Sequence, residues 1–355
     1  LYRRAVLQCS VFILHPDPVR LSRDLITTCH LLPVSKMGCG YESEGEENYE
    51  CTLGPELQLT AQAELREDDV TRRQALSQMR QWIDMHPDIH HCRKDAPFLL
   101  RFLRTKKFYL PLAQEMLEKY LTVRELYPHW FQKLDVMDPA IQDILDSGYL
   151  VPLPGRDSKG RKVIFSCAAK FDPYKYTSAQ MAKVHSLVVE SLMDDEENQI
   201  TGYSHVNDES GLTMGHISLW SLNDIRHMLR CIQNSTPMRH KSTHFVNVPT
   251  YANKVFDFFT ALLNDKLKNR VMLHKDIDSL KRAVDPKILP KEYGGVVPLA
   301  DMIADFKKYL ETKREVVLGL DKMKIVVNKK AKFVTELEEQ QITGMAGSFR
   351  KLQVD

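Results

Sequence analysis

Long apolar runs are missing from this chain of 355 residues: stretches such as residues 11–14 (VFIL) fall far short of the roughly 18 residues that a bilayer-spanning helix needs. Membrane contact, on this pattern, is peripheral. An excess of one charge is missing too. The 49 Lys and Arg stand against 47 Asp and Glu, a net charge of +2 with no long basic tract, which removes the electrostatic footprint of a nucleic-acid binder. Paired cysteine motifs are absent. The seven cysteines, at 9, 29, 39, 51, 92, 167 and 231, form an odd and scattered set without a C-x-x-C pair, arguing against a zinc site or a disulfide framework and fitting a reducing cytosol. Cys167 and Cys231 lie among apolar neighbours and are expected to act as small hydrophobes.

The usual catalytic signatures are missing as well. There is no G-x-G-x-x-G, phosphate loop, H-E-x-x-H or G-x-S-x-G, so nucleotide and hydrolase chemistries lose their main support. His86, His90, His91 and Cys92 invite a metal, but Pro87 interrupts the helix that would align them, and they read as solvated loop residues. The acidic run Asp194, Asp195, Glu196, Glu197 lacks the ligand alternation of a calcium loop and is expected to end a helix in solvent. No catalytic residue, metal ligand or cofactor is expected.

Residues 1–56 read as a disordered leader and an acidic tail. The first 36 carry Arg3, Arg4, Arg20 and Arg23, yet Pro16, Pro18 and Pro33 interrupt any amphipathic helix, so an over-extended reading frame fits better than a transit peptide. From Met37 the run MGCG resembles a myristoylation start, with Glu42 in place of the required hydroxyl residue. Glu42, Glu44, Glu46, Glu47 and Glu50 then offer too little apolar surface to order themselves.

Helical spacing begins near Leu57. Leu76, Met79 and Ile83, then Leu99, Phe102 and Leu103, recur at three- and four-residue intervals, with Pro87, Pro97, Pro111 and Pro128 as breakers, so residues 57–132 are expected to form a helical domain of three or four short helices. The period then changes. Residues 162–168 (KVIFSCA) and 243–248 (THFVNV) read as strands, and residues 178–193, 222–233 and 301–315 as helices, implying an α/β domain over 133–315 in which helices cover a sheet. Residues 316–355 are expected to be a less ordered tail.

The most informative stretch is residues 250–270. On a helical wheel Ala252, Val255, Phe256, Phe258, Phe259, Leu262 and Leu263 occupy an arc of roughly 160°, wider than the usual stripe of a surface helix. Such a face belongs either to a deeply buried core helix or to a lid over an apolar cavity. Lys266, Lys268 and Arg270 follow at once, as suits a gate that meets anionic headgroups. Arg101 and Arg104, and Arg239 with Lys241, are further basic pairs that could join that face.

Residues 95–113 (DAPFLLRFLRTKKFYLPLA), 237–249 (PMRHKSTHFVNVP), the greasy helix and 288–295 (ILPKEYGG) together resemble the CRAL-TRIO lipid-transfer family, in particular its tocopherol-transfer and retinaldehyde-binding branches, over about residues 60–310. The resemblance implies an N-terminal helical domain followed by an α/β domain whose mixed sheet floors a lipid pocket under a mobile lid helix. It implies a phosphatidylinositol bisphosphate cleft at Arg101, Arg239, Lys266 and Arg270, with Lys241 and Lys268 as neighbours. Such a cluster suits doubly charged phosphates, because charge-assisted hydrogen bonds are stronger than neutral ones. It also implies a pocket and lid formed by His185, Val189, Met228, Ile232, Met238, Val255, Phe256, Phe259 and Leu263. His185 and Val189 stand where the tocopherol branch has small hydroxyl residues, and Ala182 where it has an aromatic one. His185 is open to two readings, a hydrogen bond to the ligand or satisfaction by its neighbours. Asp208, Glu209, Ser210 and Gly211 match the family's strand-end D-x-x-G and are expected to be architectural.

The expected protein is therefore a monomeric, non-enzymatic, cytoplasmic carrier of a tocopherol-, retinoid- or isoprenoid-like molecule, in transient contact with endosomal or plasma membranes. The alternative is a phospholipid-sensing scaffold, or an accessory that presents a lipid to an enzyme.

Overall fold

The computed structural model describes residues 49–343, with side chains as far as residue 337. The leader, the MGCG run, the acidic tract up to Glu47 and the C-terminal FRKLQVD lie outside the described residues. The N-terminal part comprises α1 (Pro55–Leu65), α2 (Asp69–Met85), β1 (Ile89–His91), α3 (Ala96–Thr105), α4 (Leu110–Leu126) and the single turn α5 (Pro128–Phe131). Its prolines open helices. Pro55, Pro97, Pro111 and Pro128 stand in first turns, where the missing N–H costs nothing, while Asp68 and Asp95 cap α2 and α3 by accepting from the Thr71 and Phe98 amides.

The sheet part follows: α6 (Pro139–Asp146), β2 (Leu150–Arg156), β3 (Lys162–Cys167), α7 (Ser178–Leu192), α8 (Glu196–Thr201), β4 (Tyr203–Asp208), α9 (Met214–Ser218), α10 (Leu222–Asn234), β5 (His240–Val246), α11 (Asn253–Ala261), α12 (Asp265–Lys268), β6 (Val271–His274) and α13 (Ile277–Lys281). The strands form one mixed sheet in the order β2-β3-β4-β5-β6, antiparallel between β2 and β3 and parallel elsewhere. The α/β architecture expected from the change of period is present. β2 escapes a periodicity reading because Pro152 and Pro154 interrupt it, and a strand can keep prolines only at an edge, where its N–H groups need no partner.

The C-terminal segment departs from expectation. α14 (Leu299–Gly319) runs past residue 315, β7 (Lys324–Ile325) pairs antiparallel with β1, and α15 (Lys332–Thr343) docks on α10, where the Leu337 carbonyl accepts from His227 at 3.1 Å. Val317, Leu320, Met323, Val334 and Leu337 are buried, so residues 316–337 belong to the body rather than to a tail. The same correction applies at the other end. Leu53 is buried and Tyr49 lies under the Arg72 guanidinium, which gives residues 49–56 the anchors that the glutamate-rich stretch lacks. His90 and His91, expected in a loop, are exposed residues of β1.

Candidate functional site

Register assembles one face of the sheet from two rows, because alternate residues of a strand share a face. Ile164, His205, Thr243 and Val271 pair across β3 to β6, and Ser166, Asn207, Phe245 and Leu273 form the next row. α11 meets this face, with the Phe256 ring edge-on to Phe245 at 5.0 Å. α7 meets it through His185, which lies close enough to His205 for its charge to oppose protonation there, after burial has already done so.

None of the side chains of α11 is buried. Val255, Phe256, Phe258 and Phe259, with Leu262 and Leu263 just beyond, are all half-buried, whereas a core helix of this composition would be closed on every side. α11 therefore lies on the sheet with its apolar side chains only partly covered. At its end Gln233 of α10 holds the chain, donating to the Leu262 carbonyl at 3.3 Å and accepting from the Asn264 amide at 2.7 Å. Met228 and Ile232 are likewise half-buried on α10, and Val189 on α7, while Met238 is buried in the main core. His185 Nε2 lies 2.9 Å from the Tyr149 hydroxyl, so a neighbour satisfies that nitrogen, and burial pushes its pKa down to about 4.

The basic residues divide into two groups. Arg239, Lys241, Lys266 and Arg270 gather at the N-terminal ends of β4 to β6. Burial and then the positive charges of Arg270, Lys107 and Arg239 hold the Lys266 ammonium below the ordinary lysine range. Lys106, likewise lowered by burial and then by Lys119, with Glu115 opposing, and by Lys266, joins this group. Lys106 and Lys107 follow α3 in a turn where Lys107 and Phe108 adopt left-handed backbone, a placement that helical periodicity does not announce. Arg270 donates to the His240 carbonyl, and Arg239 to the Gln199 and Ile200 carbonyls. Lys268 is exposed on the last turn of α12. Gly202 makes the close approach of β5 workable. At φ 84° it takes a conformation that L-residues avoid, and a Cβ there would sit 2.5 Å from the Arg239 carbonyl oxygen.

Arg101 belongs to the second group and is not available to an exposed cleft. It is 1% exposed, with Nη1 2.8 Å from Glu190 and Nη2 2.6 Å from Asp194. Arg104, also fully buried, is bound by Glu67 at 2.7 Å and Glu196 at 2.9 Å. α3 is therefore closed all round, and its two arginines enter the interior because carboxylates meet them there. The acidic run once expected to end in solvent supplies some of those partners: Asp194 and Glu196 accept from the two arginines, and Asp195 caps α8 through the Asn198 amide.

Asp208 is architectural, as the D-x-x-G reading expects. Its buried carboxylate accepts from the Ser210 amide at 3.0 Å, the Ser210 hydroxyl at 2.8 Å, Asn247 at 2.8 Å and the Tyr293 hydroxyl at 2.6 Å. Tyr293 comes from the ILPKEYGG motif. That motif ends in glycine because a Cβ on Gly295 would fall 1.6 Å from the Leu289 carbonyl oxygen.

No helix among the described residues is long and apolar enough to cross a membrane, and none of their His, Cys, Asp and Glu side chains group as metal ligands. The model of the CRAL/TRIO domain matches residues 146–295, and that of the Pinta-like UBA domain matches residues 68–141. Clavesin-2 of Mus musculus is 33% identical over 251 residues, which cover 70% of this chain and 77% of the relative. Clavesin-1 of Xenopus laevis is 34% identical over 251 residues, covering 70% and 76%. The crystal structure of Sfh5 aligns over 78% of this chain and 99% of that chain, at 12% identity and a TM-score of 0.45. The domain model and the two Clavesin relatives show that the chain belongs to the CRAL-TRIO family of lipid-binding and lipid-transfer proteins.

Proposed function

We propose that the protein carries a hydrophobic small molecule of tocopherol, retinoid or isoprenoid type between membranes, and that phosphatidylinositol bisphosphate engages the cationic cleft beside its lid. One observation supports this reading above the others. The greasy face of α11 lies over the sheet without a single buried side chain, and within a few residues the chain reaches Lys266 and Arg270. Apolar area that can leave the body, placed next to cations, suits a surface that works against anionic bilayers. The floor favours a ligand with a hydroxyl or carbonyl over a bare hydrocarbon, since Ser166, His205, Asn207 and Thr243 share it. In this reading residues 133–315 hold the lipid, residues 57–132 brace them, and the monomeric protein works from the cytoplasm at endosomal or plasma membranes without catalysing a reaction.

The test combines two measurements. Mass spectrometry of organic extracts from the purified protein should show a stoichiometric lipid. Transfer of that lipid from phosphatidylcholine vesicles should run faster to acceptors containing phosphatidylinositol bisphosphate, and added salt should reduce the difference. Lys266→Ala with Arg270→Ala should abolish the acceleration while leaving retention of the lipid nearly unchanged. A protein without bound lipid would be a scaffold instead, and equal transfer to both acceptors would remove the headgroup site.

A further inference from the structure

The cationic cleft already holds an anion of the protein's own. Glu64, on the last turn of α1, points one carboxylate oxygen, Oε2, at both Arg239 Nη2, 2.6 Å away, and Lys241 Nζ, 3.0 Å away. Burial works against ionisation of this carboxyl, yet hydrogen bonds from Lys241 and Arg239 and their charges hold it below the usual carboxylate range. The side chain nevertheless remains 47% exposed, so a competing anion can reach the contact.

The surroundings leave this anion outnumbered. Arg239, Lys241, Lys266, Arg270, Lys106 and Lys107 lie in one neighbourhood, and the charges that shift Lys266 are all positive. α1 packs through Ala61 and Leu65 against Ile200, in a small cluster separate from the main core, and its end is pinned by Glu67, which meets the buried Arg104 guanidinium at 2.7 Å. The helix stays in place, and the half-exposed Glu64 side chain is displaced by rotating toward solvent.

We infer that Glu64 is a resident counter-ion of the headgroup cleft, which a ligand phosphate must displace in order to bind Arg239 and Lys241. This inference rests on the phosphoinositide reading above and adds the regulation of that site. A phosphodiester carries one negative charge, so exchanging it for Glu64 replaces one ion pair by another and gains little. A phosphomonoester carries about −1.5 to −2 at neutral pH, and two of them on one ring can satisfy the cations that Glu64 leaves uncompensated. The ligand chemistry is therefore a ring bearing phosphomonoesters, whether a lipid headgroup or a free inositol phosphate. Removing the counter-ion strengthens every anion by a common factor, because each no longer has to displace the same carboxylate.

Glu64→Gln in the full chain keeps the shape of the residue and removes its charge. Two probes report the result: vesicles of phosphatidylcholine containing either phosphatidylinositol or its bisphosphate, and soluble inositol trisphosphate followed by calorimetry. The expected outcome is an equal tightening, about three- to tenfold, on all of these probes, as suits loss of two partly exposed ion pairs. Binding to phosphatidylinositol vesicles should then become measurable where the parent protein shows little. Unchanged or weaker binding would overturn the inference and make Glu64 a residue that positions Arg239 and Lys241. Tightening on vesicles alone would overturn it too, since the effect would then lie in bilayer contact and not in the headgroup. The Lys266→Ala, Arg270→Ala variant separates the two levels. If it binds the bisphosphate vesicles as well as the parent does, the cleft itself is misassigned. If it binds them weakly while Glu64→Gln brings no gain, only the counter-ion role fails.

Discussion

The Tyr293 hydroxyl donates to Asp208 Oδ2 across 2.6 Å and thereby ties the turn after α13 to the end of a central strand. Ser210 and Asn247 also donate to the same buried carboxylate, so the protein itself supplies its hydrogen-bond partners. Tyr293→Phe should leave the fold intact and lower its stability by about 1.5–3 kcal/mol, the range for a hydrogen bond to a charged group. Urea unfolding followed by circular dichroism measures it, and a loss within a few tenths of a kcal/mol would show that other donors take over.

Arg101 and Lys266 should behave in opposite ways. Arg101→Ala removes the buried guanidinium from Glu190 and Asp194, leaving Glu190 with Tyr120 and Arg124 and Asp194 with Arg93, so the loss is expected at the lower end of the range of about 3–5 kcal/mol for a broken buried pair. Thermal unfolding should therefore fall steeply in this variant, and lipid retention with it. Lys266→Ala should scarcely move the unfolding transition while slowing delivery to phosphoinositide vesicles. Comparable melting temperatures for the two variants would mean that Arg101 is not a structural ion.

Phe259→Asp probes the lid. In a core helix an unpaired carboxylate would destabilise the whole domain. Because Phe259 is only half-buried, the charge can hydrate when α11 swings away, so a folded protein with a modest loss of melting temperature and faster lipid release is expected. Hydrogen exchange in the lipid-free protein should show residues 253–261 opening well before β4. Equal protection of both segments would return α11 to the permanent core.

Acidification should destabilise the protein through its histidines. His185 is held at about 4 by burial. His240 is held at about 4 by burial and then by Arg270 and Lys266, and His244 at about 4 by burial, then His274 and Arg161, with Asp157 opposing. Each folded value lies below the ordinary histidine value near 6.5, so the unfolded chain takes up protons first. The stabilising contribution is complete above about pH 6.5 and is lost as the pH falls toward about 4. His244 Nδ1 and His274 Nε2 lie 2.9 Å apart and share one proton, so His244→Asn should flatten the fall of melting temperature across this window. An unchanged slope would place the acid sensitivity elsewhere.

Much of the fold is local and was legible in order along the chain. The three- and four-residue recurrence of Leu99, Phe102 and Leu103 marks α3, the first-turn prolines and aspartate caps mark where helices begin, and the wide arc of residues 252–263 marks an unusual helix, because periodicity and capping depend on neighbours a few residues away. Motif order likewise identified the family before any contact was known. What periodicity could not supply was the partner of each charge. Arg101 and Arg239 are the same residue in similarly basic strings, yet Glu190 and Asp194 neutralise one in the interior while the half-exposed Glu64 meets the other nearer the surface. Those carboxylates lie between 89 and 175 residues away in sequence. Burial and electrostatics are properties of the assembled neighbourhood, so only tertiary packing decided which arginine is structural. It likewise decided that residues 316–337 join the body, and that the greasy helix rests on the sheet with its side chains only half-buried.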